Sequence, residues 1–126
     1  MYVYETKTFN KVYNGINFTV KLHFEEEYIS ISDTFDCTDE ELKEIYCKLD
    51  KYELVYFCAH MQAYFNNIHL SDDYLGCCLY DSYDRFVDDD EYFGDMVNNV
   101  LIEGYKELKR IKEQLNGLKF EDDENE

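Results

Sequence analysis

The segment NGINFTVKLHF, residues 14–24, decides the fold because it combines a turn signal with a strand pattern. Asn-Gly is the preferred pair for a type I′ hairpin turn, in which both central residues need a positive φ. Apolar side chains then alternate with polar ones through Ile16, Phe18, Val20, Leu22 and Phe24. This period of two predicts a strand with one buried face, preceded by a strand that pairs Tyr13 with Ile16 and Phe9 with Val20.

A third strand is predicted from YISIS, residues 28–32, which also alternates apolar and polar side chains. A tight turn near residues 25–26 would place Leu22 opposite Ile29. The N-terminal third of the chain is therefore predicted to be a three-stranded antiparallel β-sheet with one apolar face. Helices are expected to cover that face, because a sheet must bury its apolar side against another layer.

The first helix is predicted to begin at Thr38, because Thr38 and Glu41 have the spacing of a capping box. Helical spacing then continues through Leu42, Ile45, Leu49 and Tyr52. Two continuations stay open. The helix breaks near Asp50, where a second capping box could start, or it runs on through an apolar stretch that ends at Phe65.

A long second helix is predicted from about Asp89 to Asn116. Its apolar stripe has steps of three and four residues, with an Asn-Gly pair as the C-cap. Residues 67–90 are ambiguous, and YLGCCLY at residues 74–80 fits either a strand or a buried turn. The closing segment EDDENE, residues 121–126, is predicted to be a disordered acidic tail.

The composition indicates one folded domain. The chain has 126 residues, of which 45% are hydrophobic and 17% aromatic, and this excludes a disordered chain. The predicted fold class is α+β: an N-terminal three-stranded antiparallel β-sheet packed by two or three α-helices, one of them long and C-terminal. This domain is expected to span residues 1–120.

The charge balance limits the partners. With 29 acidic and 12 basic residues the net charge is −17, which excludes passive binding to nucleic acid or anionic membranes. The N-terminal MYVYETKTF has no features of a secretory signal, and no apolar run approaches the roughly 20 residues that span a bilayer. The five cysteines are therefore expected to be reduced thiols in a cytoplasmic protein.

The acidic residues concentrate in YDSYDRFVDDDEYFGD, residues 80–95, where seven acids and five aromatics surround a single Arg85. Acids at residues 88–91 also fit a favourable helix N-terminus, since the helix dipole attracts negative charge there. Tyrosine is a preferred anchor of protein interfaces, and carboxylates among tyrosines fit an arginine-rich groove. The predicted partner-binding residues are Asp81, Tyr83, Asp84, Asp88, Asp89, Asp90, Glu91, Tyr92 and Asp95, aided by Glu25, Glu26 and Glu27 at a hairpin tip. Aspartates would pair with Arg or Lys of the partner, with Tyr83 and Tyr92 as anchors.

In size, charge and Tyr/Asp/Glu-rich stretches the chain resembles the small acidic DNA-mimic inhibitors of phages and mobile elements, such as anti-CRISPR and anti-restriction proteins. The resemblance implies a non-enzymatic inhibitor that takes the nucleic-acid site of a host defence protein, such as a CRISPR effector or a restriction enzyme. An immunity protein or antitoxin that blocks a toxin nuclease is an alternative with the same chemistry. The long helix could also form a homodimer.

A catalytic or metal site is not predicted. Cys58, His60, His69, Cys77 and Cys78 lie close in sequence but lack the paired spacing of zinc ligands. On a helix Cys58 and His60 would diverge, so buried thiols are expected, and a Cys/His metal protein stays as an alternative. The acidic stretch does not match a calcium-binding loop, and neither a nucleophile with an oriented base nor a phosphate-binding loop is present. No cofactor is expected.

Overall fold

The computed structural model describes residues 2–122, and these form an α+β fold, as predicted. The strands are β1 (Val3–Tyr13), β2 (Ile16–Glu25), β3 (Val55–Phe65) and β4 (Ile68–Tyr80). The helices are α1 (Ile31–Thr34), α2 (Asp39–Asp50), α3 (Tyr83–Asp89) and α4 (Phe93–Asn116). The strands form one antiparallel sheet in the order β1-β2-β3-β4, so the predicted three-stranded sheet is wrong by one strand.

The first hairpin has the predicted turn and register. Asn14 and Gly15 have φ values of 48° and 78°, the positive values that a type I′ turn requires. Tyr13 pairs with Ile16 across β1 and β2, and Phe9 pairs with Val20 further along. The register therefore follows from the turn chemistry, because a two-residue loop leaves one way to align the strands.

The predicted third strand is wrong. The segment after β2 leaves the sheet and forms the short helix α1 at Ile31–Thr34, so Leu22 pairs with Met61 of β3 instead of Ile29. Ile31 is buried at 3% exposure, but Ile29 stays 53% exposed. The short segment thus has one buried side chain, while β3 offers a full row of them to the same edge of β2.

The helix from Thr38 ends at Asp50, and its continuation to Phe65 is wrong. Residues 55–65 form β3, whose core-facing side chains Phe57, Ala59, Met61 and Ala63 are all 0% exposed. The predicted capping box is confirmed, since the Thr38 hydroxyl accepts from the Glu41 backbone N–H and the Glu41 carboxylate accepts from that of Thr38. YLGCCLY is a strand, part of β4, and the register shifts there near Cys77, which has a φ of 58°.

The long helix begins four residues later than predicted. α3 ends at Asp89, Asp90 has a left-handed φ of 54°, and α4 starts at Phe93. The predicted end at Asn116 is confirmed. Acidic residues 88–91 are therefore not the first turn of the long helix.

α4 covers the apolar face of the sheet at β3 and β4. Close approach is possible at Gly104, where an added Cβ would lie 3.3 Å from both the Ala63 Cβ and the Ser71 Oγ. The Ser71 hydroxyl donates to the Val100 carbonyl at 2.7 Å and fixes the helix on β4. α3 closes the same layer with Phe86, which is 1% exposed.

The predicted acidic tail lies outside the described residues from residue 123 onward. Within residues 2–122, none of the helices combines the length and apolarity that crossing a membrane would require.

Candidate functional site

The predicted acidic surface forms a ridge made of α3, the turn after it and the start of α4. We call residues 81–95 the acidic ridge. Ser82 is the N-cap of α3, and its hydroxyl accepts a hydrogen bond from the Arg85 backbone N–H at 3.1 Å. The seven carboxylates of the ridge are all on exposed residues: Asp81, Asp84, Asp88, Asp89, Asp90, Glu91 and Asp95. These seven predicted partner-binding residues are therefore accessible, and their role in binding stays a prediction.

Cations of the protein neutralise part of the acidic ridge. Lys7 of β1 forms an ion pair with Asp84, and Arg85 lies 3.6 Å from Asp81 and 3.7 Å from Asp89. Within residues 2–122, no ion pair reaches the remaining four carboxylates, which belong to Asp88, Asp90, Glu91 and Asp95. The ridge thus has four carboxylates outside these ion pairs, two of which, Asp88 and Asp90, line a concave surface together with Lys11.

The position of Asp88 is electrostatically unfavourable. Asp88 and Asp89 both lie in the last turn of α3, which has no basic residue, but Asp89 has an ion pair with Arg85 of the preceding turn. The carboxyl end of a helix has a partial negative charge, so like charge there destabilises it. The helix-dipole explanation available from the sequence therefore does not apply to these two residues.

Most aromatic side chains of the acidic ridge belong to the core. The Tyr83 ring centroid lies 4.5 Å from that of Phe24 and 5.4 Å from that of Phe57. Burial is the main reason that the pKa of Tyr83 is raised. Tyr92 is 45% exposed. Of the two predicted anchors, Tyr92 is thus the one whose ring faces solvent.

The three glutamates at residues 25–27 do not form an acidic hairpin tip, because the chain leaves the sheet there. Glu25 is only 6% exposed, and Glu26 and Glu27 are half-buried. The Glu27 carboxylate accepts from the backbone N–H of Cys77 at 2.7 Å and of Ile29 at 3.1 Å. The expected contribution of these glutamates to a partner surface has no support in this arrangement, since their carboxylates are engaged within the fold or partly covered.

A cluster that the sequence did not predict lies on the sheet face opposite α4. His60 of β3 has its Nδ1 2.7 Å from the Glu25 Oε2 and its Nε2 2.7 Å from the Asp72 Oδ1. The other Asp72 oxygen lies 2.8 Å from the His69 Nε2, and the Tyr74 ring stacks on His60 at 4.1 Å. We call Glu25, His60, Asp72 and His69 the His60 cluster. It joins strands β2, β3 and β4.

Hydrogen bonds within the His60 cluster lower the pKa of Asp72. Burial alone would raise the pKa of Asp72, but hydrogen bonds from His60 and Gln62 and the nearby charge of His69 lower it below its ordinary value of 3.8. Carboxylates accept only, so the two contacts of His60 are complete when both ring nitrogens have a proton. Gln62 extends the network, since its amide oxygen lies 2.7 Å from the His23 Nε2.

The His60 cluster links three strands, because both ring nitrogens of His60 lie within hydrogen-bond distance of carboxylates, from Glu25 of β2 and Asp72 of β4. In the described part of the chain, no three His, Cys, Asp or Glu side chains are arranged to hold a metal ion.

Cys58 is on the same sheet face, and not on a helix as expected, so it does not diverge from His60. Burial raises the pKa of the Cys58 thiol to about 11, which makes it a poor nucleophile.

The sequence could not reveal this cluster, because Glu25, His60 and Asp72 meet only through the register of three strands.

Comparison with protein-family models, with curated proteins and with solved structures finds no match to this chain. Function is therefore inferred from the chain's own residues. Of the two clusters of charge, the acidic ridge is the more exposed to solvent.

Proposed function

We propose that this protein is a non-enzymatic inhibitor that occupies the basic site of a nucleic-acid-binding protein with its acidic ridge. The observation that supports this most is the set of four exposed carboxylates without ion pairs at Asp88, Asp90, Glu91 and Asp95. The placement of Asp88 in the last turn of α3 adds to it, because a charge that destabilises its own helix needs another reason to be there.

The physical basis is competition for cations. Double-stranded DNA has one phosphate charge per roughly 1.7 Å of axis, and a protein that binds it presents Lys and Arg at matching density. Carboxylates clustered over a few turns can form charge-assisted hydrogen bonds with the same side chains. The net charge of −17 also speeds association with a basic surface and opposes contact with nucleic acid or an anionic membrane.

The proposed partner class is a host defence nuclease, such as a CRISPR effector or a restriction enzyme, which is met in the cytoplasm. Five free cysteines are compatible with a reducing compartment. A toxin nuclease, with this chain as its immunity protein or antitoxin, would present the same basic groove. Identification of the bound nuclease separates these two roles.

The test measures displacement of DNA. The full chain is used to capture partners from a cell lysate, and each captured protein is then titrated with labelled duplex DNA in the presence of the inhibitor. We expect the inhibitor to displace the DNA, and we expect its own binding to weaken as salt rises, because the contacts are ionic.

Two quadruple variants locate the contact. The ridge variant replaces the unpaired acids by amides: Asp88→Asn, Asp90→Asn, Glu91→Gln and Asp95→Asn. The control variant makes the same change in charge at dispersed exposed acids: Asp36→Asn, Glu40→Gln, Glu53→Gln and Glu113→Gln. Asparagine tolerates the left-handed backbone at Asp90, so the ridge variant is expected to fold.

We expect at least about a tenfold loss of displacement from the ridge variant, which corresponds to about 1.4 kcal/mol. The control variant should lose less than about threefold. Equal losses in both variants would show that binding depends on net charge and not on the ridge. Captured proteins that bind no nucleic acid would contradict the proposed function.

A further inference from the structure

A second surface lies at the opposite end of α4, where a groove of about 550 Å³ opens between the helix and the end of the sheet. We call it the C-terminal groove. Its apolar lining comes from β2, from both sides of the β3–β4 turn and from the last three turns of α4: Ile16, Phe65, Ile68, Leu108, Ile111 and Leu115. It is therefore the outer continuation of the core layer.

Large apolar side chains are exposed in the groove and just past the end of α4. Ile68 is 44% exposed and Leu115 56%, and past the helix end Leu118 is 51% and Phe120 59% exposed. These large side chains concentrate at one end of the molecule. Contiguous exposed apolar surface with a polar rim is typical of an interaction site.

The rim of the groove has the opposite charge to the protein as a whole. Lys109 and Lys112 line it, and none of the groove-lining residues is acidic, although the whole chain has a net charge of −17. An occupant of this groove should therefore combine apolar side chains with carboxylates. A basic segment does not satisfy the second requirement.

The chain itself contains such a segment, Leu118-Lys119-Phe120-Glu121-Asp122, directly after the helix. It does not fill its own groove, since Leu118 and Phe120 stay more than half exposed. The Leu118 backbone N–H donates to the Leu115 carbonyl at 3.0 Å, so the segment starts as a continuation of the helix end. We infer that the C-terminal groove is a self-association surface that receives residues 118–122 of a second copy of this chain.

The inferred dimer has two equal contacts related by a two-fold axis. The ends of the two α4 helices run antiparallel, Leu118 and Phe120 of each copy enter the groove of the other, and Glu121 and Asp122 meet Lys109 and Lys112. This is the self-complementary arrangement that closed dimers use. Burial of these side chains supplies the driving force, at about 25 cal/mol per Å² of apolar surface, and the charges set the register.

The inference does not depend on the proposed function. A helix rises 1.5 Å per residue, so Phe93 and Asn116 at the two ends of α4 are about 35 Å apart. A dimer through the C-terminal groove leaves the acidic ridge of each copy exposed. Failure of the DNA-displacement test would not affect the dimer, and a monomeric protein would not affect the ridge.

The first experiment is sedimentation equilibrium of the full chain over about a hundredfold range of concentration. We expect reversible formation of a species with twice the chain mass of 15.2 kDa. Leu115→Glu should weaken it at least about tenfold. Ile29→Glu is the matched control, because Ile29 is 53% exposed and follows the end of β2 that is opposite to the groove, so this change should leave the dimer unchanged.

A charge exchange identifies the occupant. Lys109→Glu with Lys112→Glu gives one variant, and Glu121→Lys with Asp122→Lys gives the other. Each should be monomeric by native mass spectrometry. Mixing the two should restore a heterodimer, because the unchanged acidic segment of the first variant then meets the unchanged lysines of the second. A protein that stays monomeric throughout, a dimer that is dissolved by Ile29→Glu and not by Leu115→Glu, or a mixture that stays monomeric would overturn the inference.

Discussion

The acidic ridge and the His60 cluster use the same side chains in opposite ways. On the ridge, seven exposed carboxylates share two cations, Lys7 and Arg85. In the cluster, Glu25 and Asp72 flank one imidazole, and the side chains of His60 and Glu25 are only 11% and 8% exposed. The surroundings of a carboxylate thus determine whether it stabilises the fold or stays exposed to solvent. The number of acidic residues in the sequence does not determine this.

The difference follows from the cost of desolvation. A buried charge without a partner is unfavourable, so the buried side chains Glu25 and His60 need partners inside the fold. An exposed carboxylate is hydrated and can remain unpaired until a cation approaches. Substitutions should therefore affect folding in the cluster and binding on the ridge.

The largest effect is expected from His60→Ala. The substitution leaves Glu25 buried without its partner and separates three strands that His60 joins, so the free energy of unfolding should fall by about 3 kcal/mol. Urea denaturation at neutral pH measures it. In the double variant with Glu25→Ala the loss should be smaller than the sum of the two single losses, because the partners act as a pair. A loss under about 1 kcal/mol for His60→Ala would make the cluster a surface feature.

A smaller and pH-dependent effect is expected from Asp72→Asn. The pKa of Asp72 is lower in the folded protein than in the unfolded chain, so its ionised form stabilises the fold at pH values above 3.8. This contribution is lost as the pH falls from 3.8 through the lower folded-state value. We expect Asp72→Asn to cost about 1 kcal/mol at neutral pH, reduced by the partial exposure of this side chain.

The measurement compares wild type and Asp72→Asn by denaturation at neutral pH and at several acidic pH values. The difference between them should shrink below pH 3.8, when the wild-type carboxyl also becomes neutral. A difference that stays constant with pH would assign the loss to packing instead of charge.

Lys7→Met tests the same contrast on the part of the ridge that has an ion pair within the protein. The side chains of Lys7 and Asp84 are 26% and 76% exposed, so their ion pair should contribute less than about 1 kcal/mol to stability. Release of Asp84 adds an unpaired carboxylate to the ridge, and DNA displacement should improve. Weaker displacement would indicate that Asp84 must be held in place by Lys7.

The smallest effect on stability is expected from Asp88→Asn combined with Glu91→Gln. Removal of like charge from an exposed ridge should change the free energy of unfolding by less than about 0.5 kcal/mol, and toward higher stability. Thermal unfolding at low salt, where repulsion is least screened, is the sensitive assay. A loss of more than about 1 kcal/mol would show that these acids support the fold, and the contrast with the His60 cluster would disappear.

Local signals of the sequence predicted the elements whose cause is local. The Asn14-Gly15 turn, the capping box at Thr38 and the apolar stripe of α4 depend on residues within a few positions of each other, and all three are confirmed. The exposure of the ridge acids could be predicted in the same way, because a run of carboxylates is rarely buried.

Residues 55–65 were predicted wrongly because their apolar content fits two periods. Phe57 and Met61 have the spacing of a helix face, and with Ala59 and Ala63 they also have the spacing of a strand face. Alanines contribute little to the apolar pattern of either a helix or a strand. Residues 55–65 form a strand because β2 has an edge available for pairing and an apolar face of matching length. The false strand at residues 28–32 has the same origin, since pairing depends on a partner elsewhere in the chain.

The sequence by itself determined the hairpin register, the caps, the helix stripe and a large excess of surface carboxylate, because each depends on contacts between near neighbours or on hydration of charge. Only the tertiary structure decided that Glu25 is buried on His60, that Tyr83 belongs to the core, and that Asp88 and Asp89 end a helix instead of starting one. These outcomes depend on strand order and helix breaks, which are set by competition among distant segments for the same apolar face.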